Sequence, residues 1–480
     1  MSNSFTPHPS QIAAVEAAKT GENVVITAGA GSGKTSTLRL IADALAPSRG
    51  TYIAYNKAIQ KDAAASFPGN VNCRTAHSLA FRAVPEHGKR AMNSPRMTGR
   101  QLAYALDIEH GFSLGNDREL APARLASLVM ETVSKFCHSA DRQILARHTP
   151  LVEGAEEVSH DLANYLANAA AKAWSTDLRH STGKLPFTHD MYVKVWALGN
   201  PTISGDFLLY DEAQDADPCI AGVVLAQKGK QLIAVGDESQ AIYGWRGATD
   251  AMKNWPAQHR VVLAKSFRFG QAVADEANIF LNRLNAPLRI EGYEAVDSKV
   301  EQFDTLDADA VLCRTNASVI ETALAIHEAR SFAIVGGSNA IRKFAEAAAQ
   351  LMRGQRASWH ADLGAFKNWD DVEDYVNNDH GGSDLRSLVN MVTDFGVEEL
   401  CRVCDKAVSE DRADVVISTA HKAKGREWDS VQIAPDFTPQ IDKETGERRE
   451  PGDAEIMLMY VAVTRAKKRL DATALDWAKA

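Results

Sequence analysis

Along this chain, short apolar runs rich in β-branched residues alternate with longer stretches whose apolar positions recur every three or four residues. Residues 23–28 (NVVITA) form one such run, glycines follow at once, and residues 37–45 then carry helical spacing. This predicts a strand, a loop and a helix. Residues 51–54, 206–210, 231–235 and 261–264 have the length and composition of buried parallel strands. From about 86 to 184 nearly everything reads as helix, including LAPARLASLVMETVSKF and HDLANYLANAAAKAW, so a helical insertion within an α/β domain is expected. Thr188 is placed to cap a helix that carries Tyr192 and Trp196 on one face. From about Phe267 the strand-and-helix texture returns, with candidate strands at 310–313, 332–335, 414–417 and 431–433. Residues 354–411 are rich in Asp, Asn and Gly and poor in strand signal, which predicts a second, smaller insertion.

Composition narrows the class without naming a function. At 480 residues the chain is several times the usual domain length, and 45% hydrophobic with 24% charged residues is the balance of a globular protein. The net charge of −9 removes any argument from overall basicity to nucleic acid, so a bound nucleic acid would need a local basic channel. The 6 cysteines are scattered, which argues against a disulfide framework and for a reducing compartment: the cytoplasm, or the nucleoid or nucleus, rather than export. Cys401 and Cys404 make a lone C-x-x-C with no companion ligands, expected to be ordinary helix residues. The N-terminal residues are polar, and no apolar run approaches the ~20 residues of a membrane span.

The strongest chemical signal is Ala28-Gly29-Ala30-Gly31-Ser32-Gly33-Lys34-Thr35, set where a strand meets a helix. Glycines let backbone N–H groups curl around phosphates, Lys34 can reach the β and γ oxygens, and Thr35 can offer its hydroxyl to Mg²⁺. Ala28 stands where the standard pattern has glycine, a tolerable departure because small residues are needed most at Gly31 and Gly33. The bland alternative is a Gly-rich turn followed by a chance Lys-Thr. An ATPase site also needs an acid at the end of a nearby strand, and Asp211-Glu212-Ala213-Gln214-Asp215 follows Phe207-Leu208-Leu209-Tyr210 at the end where α/β sheets bind ligands. Asp211 can hold the Mg²⁺ shell while Glu212 orients and deprotonates the attacking water. An acidic helix N-terminus would explain the same residues structurally.

With Val235-Gly236-Asp237-Glu238-Ser239-Gln240-Ala241-Ile242-Tyr243-Gly244-Trp245-Arg246-Gly247-Ala248, the acidic segment resembles motifs two and three of the UvrD/Rep/PcrA family of superfamily 1 DNA helicases. Further matches follow in order. Gln11 resembles the adenine-reading Q motif, Thr75-Ala76-His77-Ser78 an early DNA-contacting motif, and Ser266-Phe267-Arg268 motif four. Residues 418–428, from Ser418 through His421 and Gly425 to Trp428, resemble motif five, and Tyr460-Val461-Ala462-Val463-Thr464-Arg465-Ala466 motif six. The wording of 421–428 and 188–196 is similar to the F-box DNA helicase branch, although the early start of the ATPase motifs is expected to leave no room for an F-box.

The resemblance implies an α/β fold of two RecA-like P-loop NTPase domains, parallel sheets flanked by helices, with helical insertions. The first domain would take residues 1–85 and 187–265 with 86–186 inserted, the second 266–353 and 412–480 with 354–411 inserted. ATP and Mg²⁺ would lie between them, on Gln11, the 28–35 loop, Asp211, Phe267 against adenine, and Gly425 and Glu427 near the ribose. Arg268 and Arg465 would act as arginine fingers, a contribution that can reach about 10³ to 10⁵ in rate, and Gln240 would link the γ-phosphate to the DNA side. Tyr243 and Trp245 are the expected stacking platform for bases. Asn56, Thr75, His77, Arg246 and His421 are candidate phosphate or sugar contacts, with a buried structural role as the alternative for His77 and His421, and a solvated one for Lys422 and Lys424.

The implied function is an ATP-dependent translocase that moves 3′ to 5′ on single-stranded DNA and unwinds duplexes in replication, repair or recombination. Its partners would be single strands, single/double-strand junctions and single-strand-binding or recombination proteins, with no membrane. Two other readings stay open: a translocase that strips proteins from single strands with little unwinding, and a nucleotide-gated DNA-binding protein without motor activity. Set against the larger relatives, the short second insertion puts in doubt any role that needs a large one.

Overall fold

Gly50–Ala54 and Phe207–Tyr210 are buried at every residue, as strands covered on both faces of a parallel sheet must be. The structure, a computed structural model, describes residues 6–115, 118–151, 158–242, 252–253, 255–360, 362–364, 366–378, 383–439, 441 and 448–479. In chain order its strands are β1 (Val24–Ala28), β2 (Gly50–Ala54), β3 (Val71–Thr75), β4 (Phe112–Gly115), β5 (Arg118–Leu120), β6 (Phe207–Tyr210), β7 (Gln231–Gly236), β8 (His259–Leu263), β9 (Lys299–Val300), β10 (Ala310–Cys313), β11 (Phe332–Ile334), β12 (Val415–Thr419), β13 (Trp428–Ile433) and β14 (Ala466–Asp471).

Two parallel sheets result, each flanked by helices, the arrangement of tandem RecA-like P-loop units. The first runs β3-β2-β6-β7-β1-β8 and the second β11-β12-β10-β13-β14-β9. Alternation along the strands builds two cores per sheet. In the first, Val24, Ile26, Tyr52, Leu209 and Ile233 pack under Ala14, Leu38 and Ile41, while Val25, Ile53, Leu208 and Tyr210 face the opposite side. That opposite side is covered by the helices inserted between β3 and β6, chiefly Pro122–Cys137, His160–Ala173 and His189–Leu198. Thr188 is the N-cap residue of the last of these, and Tyr192 and Trp196 are buried in the same core. In the second sheet, Leu312 and Val431 pack on helices Gln271–Arg283 and Asp453–Val463. Val311, Phe332 and Ile417 pack on Asn339–Met352 and on the helices Trp369–Asn378, Ser383–Phe395 and Val397–Lys406, inserted between β11 and β12.

The sequence reading differs from the fold in identifiable places. The first insertion is not purely helical, since β4 and β5 pair as an antiparallel hairpin within it. Strands β3, β9 and β14 were not expected. The sequence VNCRT keeps only Cys73 buried and lies at a sheet edge, and AKKRLD buries Ala466, Leu470 and Asp471 while Lys468 is exposed and Lys467 and Arg469 are half-buried. Cys401 and Cys404 are unpaired residues of the helix Val397–Lys406, and no grouping suited to a metal ion occurs among the described residues. No helix among them is long and apolar enough to cross a membrane.

Candidate functional site: a cleft between the two sheets

The neighbouring central strands β6, β7 and β1 deliver the chemistry at their carboxyl ends. The loop after β1 turns left-handed at Gly31 (φ +73°) and Gly33 (φ +77°), and Gly33 caps the helix Lys34–Ala44 with no side-chain oxygen to obstruct its N-terminus. The second half of the molecule closes on this loop. The backbone N–H of Phe267 donates to the Gly31 carbonyl at 2.8 Å, and a Cβ on Gly31 would stand 2.5 Å from Ser266 Oγ.

At the end of β6, Glu212 adopts φ +51°, a left-handed conformation uncommon for a residue with a side chain. Its Oε1 lies 2.8 Å from Lys34 Nζ. Asp211 is buried and accepts a 2.5 Å hydrogen bond from the Tyr52 hydroxyl. The two carboxyls are driven apart. Burial and the charge of Glu212 push Asp211 up to about 6, against Lys34 and Tyr52. Burial would raise Glu212 as well, but Lys34 and Lys424 outweigh it and hold that group at about 2. Burial works against the charge on Lys34, yet Glu212, Asp211 and Asp237 together raise its pKa. The site therefore holds one ionised carboxylate with its lysine and one that its surroundings leave undercompensated. That undercompensated, buried carboxyl fits a hard divalent cation.

At the end of β7, Asp237 accepts from Gln240 Nε2 at 2.6 Å and from the Tyr460 hydroxyl at 2.8 Å, and Tyr460 also receives the Ala30 N–H at 3.4 Å. Arg465 is 1% exposed, its Nη2 lies 3.5 Å from Gln240 Oε1, and Nε donates to the Val461 carbonyl at 2.8 Å. Burial, and after it Arg268, lowers that guanidinium to about 9. Arg268 donates to Glu427 at 2.6 Å and to the Thr464 carbonyl at 2.9 Å. Lys424 crosses from the second sheet to pair with Asp215 and donates to the Gln240 carbonyl at 2.5 Å.

One cleft of about 430 Å³ thus gathers Lys34, Thr35, Glu212, Gln240, Arg268 and Arg465, with Gly31, Ser32, Gly33, Asn56, Asp211, Phe267, Gly425 and Glu427 on its walls. Ala28 ends β1, while Gly29 and Ala30 form the base of the loop. Gln11 is buried beneath it, donating to Thr37 Oγ1 at 3.1 Å. Phe267 stands edge-on to His8 and Tyr293, with ring centroids 6.2 and 5.6 Å away. The DNA candidates are more dispersed. Asn56, two residues beyond β2, and Thr75, the last residue of β3, cap the helices Lys57–Ser66 and Ala76–Ala83. His77 is half-exposed, 3.4 Å from Asp190. His421 sits in the second half on the helix Ala420–Ala423, and burial with Arg314 keeps its pKa below the usual imidazole value. Tyr243, Trp245 and Arg246 lie outside the described residues. Lys422 is exposed, whereas the solvated alternative fails for Lys424, whose side chain is 10% exposed.

Comparison with known proteins identifies the arrangement. Residues 11–246 match the family described as AAA domain, and residues 341–475 match the UvrD-like helicase C-terminal domain. The chain belongs to the UvrD-like helicase family. Within that family it is 31% identical to F-box DNA helicase protein 1 of Schizosaccharomyces pombe over 94% of this chain and 55% of that protein. It is 29% identical to F-box DNA helicase 1 of Gallus gallus over 94% of this chain and 47% of that one. A shorter match, 39% identical, covers 17% of this chain and 12% of ATP-dependent DNA helicase PcrA of Leuconostoc citreum. The chain therefore spans about half the length of the F-box relatives. Among the residues of this UvrD-like cleft, Tyr52, Asp215, Asp237 and Tyr460 were given no role from sequence, and Lys424 was read only as a residue that could be solvated. Four of them sit inside motifs quoted above, where a polar side chain could have been suspected; Tyr52, in the middle of an apolar strand, carries no such signal.

Proposed function

We propose that this chain is a DNA-stimulated ATPase that walks 3′ to 5′ along single-stranded DNA and separates duplexes in replication, repair or recombination. The reading is carried by one observation: Lys34 and Glu212 on one wall of a cleft face Arg465, on the other wall, across Gln240. We assign residues 1–85 and 187–265 to the first RecA-like domain and 266–353 and 412–480 to the second, with 86–186 and 354–411 inserted.

The 28–35 loop and Lys34 bind the phosphates, Gln11 and Phe267 hold the adenine side, and Gly425 and Glu427 flank the ribose. A triphosphate entering along the loop competes with Glu212 for Lys34, which releases the Glu212 carboxylate to orient and deprotonate a water in line with the γ-phosphate. Thr35 and Asp211 would hold Mg²⁺, which when bound offsets phosphate charge. Arg268 and Arg465 stabilise charge on the transferred phosphoryl group. When it leaves, these contacts lose their object, the domains part, and the motion is read out on a strand held by Asn56, Thr75, His77, His421, Tyr243, Trp245 and Arg246. Single/double-strand junctions are the substrate and single-strand-binding or recombination proteins the partners, in whichever compartment holds the DNA.

The test is ATP-dependent unwinding of duplexes bearing a 3′ or a 5′ single-stranded tail, with DNA-stimulated hydrolysis measured in parallel. The 3′-tailed duplex should be opened and Lys34→Ala should be inert in both assays. Hydrolysis by Lys34→Ala at the wild-type rate would remove the phosphate-loop assignment. Strong hydrolysis with little unwinding would move the reading to a translocase that strips proteins.

A further inference from the structure

Asp215 is a costly place for a carboxylate. Its side chain is 0% exposed, its Oδ1 has no hydrogen-bond partner, and its Oδ2 accepts only from Lys424 Nζ and, at 3.3 Å, from Gln214 Nε2. Lys424 arrives from a helix end of the other RecA-like unit, and the same ammonium donates to the Gln240 carbonyl at 2.5 Å. Gln214 extends the connection in both directions. Its Nε2 donates to Glu212 Oε2 at 2.5 Å, and its Oε1 accepts the backbone N–H of Asp237 at 3.1 Å.

A buried ion pair of this kind contributes little to stability that well-packed apolar side chains would not contribute as well. What apolar side chains could not do is join three polar segments across a cleft with fixed geometry. The pair reaches the water-activating carboxylate through Gln214 and the phosphate-sensing residue through its backbone.

We propose that Lys424 is a positioning residue for hydrolysis: by closing on Asp215 and on the Gln240 carbonyl it fixes Gln214, and through it the orientation of Glu212, so that the carboxylate is aligned only when the two units meet. The inference rests on the ATPase reading above. It makes closure of the cleft a condition of catalysis by a route separate from the arginines, and it distinguishes Lys424 from a lysine that merely holds phosphate.

Steady-state DNA-stimulated ATP hydrolysis by the full chain tests it, with Lys424→Ala, Lys424→Arg, Asp215→Asn and the double variant Asp215→Asn/Lys424→Ala. Lys424→Ala should lower kcat by about 10²-fold, the scale of a misplaced catalytic group, with KM for ATP changed less than about twofold. Lys424→Arg should recover most of the loss. Asp215→Asn should cost about as much as Lys424→Ala, and the double variant no more than either, because all of them break one connection. Should Lys424→Ala fail to fold in a thermal melt, Asp215→Asn carries the same expectation. A raised KM with unchanged kcat would make Lys424 a phosphate ligand and overturn the inference, as would defects that multiply in the double variant or Lys424→Ala kinetics equal to wild type. A wild-type chain with no DNA-stimulated hydrolysis would overturn the ATPase reading and this inference together, whereas the other failures leave that reading standing.

Discussion

Three acidic side chains from one short segment, Asp211, Glu212 and Asp215, share the floor of the cleft, where Lys34 pairs with Glu212 and Lys424 with Asp215. The consequences can be read one residue at a time. Burial pushes Asp215 up to about 6, Lys424 opposing and Glu212 adding to the shift. Its ordinary value is near 3.8, so between about pH 4 and pH 6 the native chain binds a proton that the unfolded chain does not. Stability therefore falls as pH rises through that window and stays lower above it. Asp215→Asn, which mimics the protonated form, should accordingly melt higher than wild type at pH 8, and the gap should close as the melts are repeated down to pH 4. A gap of constant size would mean that Lys424 fully compensates the buried charge. Glu212 is the opposite case: burial would raise it, but Lys34 and Lys424 outweigh that and hold it below the usual carboxylate range. Glu212→Gln keeps the shape and removes the base. It should bind a fluorescent ATP analogue as wild type does while turnover drops about 10²- to 10⁴-fold, the usual worth of a general base. Loss of nucleotide binding instead would assign Glu212 to the phosphates.

At the scale of elements, the loop between β1 and the helix Lys34–Ala44 shows why a motif is legible in sequence when its surroundings are not. Gly31 needs φ +73°, and any side chain there would meet Ser266 Oγ at 2.5 Å and Arg268 Cβ at 2.6 Å, so both backbone and neighbours demand glycine. Gly31→Ala should lower the melting temperature and push residues 266–268 off the loop, weakening ATP binding. The check is a thermal melt with and without a non-hydrolysable analogue, and wild-type ligand-induced stabilisation in the variant would contradict the close approach. Such a requirement is written in residue type and spacing, as are the apolar strands at the sheet centres. Edge strands leave no comparable trace. In the edge strand Val71–Thr75 a single residue is buried, and in Ala466–Asp471, which lies between β13 and the short β9, Lys467, Lys468 and Arg469 interrupt the buried positions, so neither has the apolar run that marks β6 or β7. The hairpin β4–β5 is short and set among strong helices, which drown its pattern. The bond from Lys424 to Asp215 was illegible for another reason. It joins positions 209 residues apart, and nothing local to either one records the other.

For the whole molecule, what matters is where the two sheets are fastened. Most apolar burial belongs to one sheet or the other, and among the described residues only Ala30 and Ile242 of the first half are buried in the core built on the second sheet. Across the cleft the links described above are polar: Lys424 to Asp215, Tyr460 to Asp237, Arg465 to Gln240, and the Phe267 N–H to Gly31. Polar links exchange with water at small net cost, whereas parting two apolar cores costs about 25 cal/mol for each Å² exposed. The two halves can therefore separate and rejoin without unfolding either, which is what a nucleotide-driven stroke needs. Hydrogen exchange of the full chain tests this division directly. Binding a non-hydrolysable ATP analogue with single-stranded DNA should slow exchange in peptides covering residues 28–36, 237–242, 420–428 and 460–466, and leave the sheet centres at 207–210, 231–235, 310–313 and 415–417 unchanged. Protection confined to 28–36 would mean that the nucleotide is held by one half alone. In that event the arginines of the other half would have no part in sensing it, and the proposed stroke would lose its trigger.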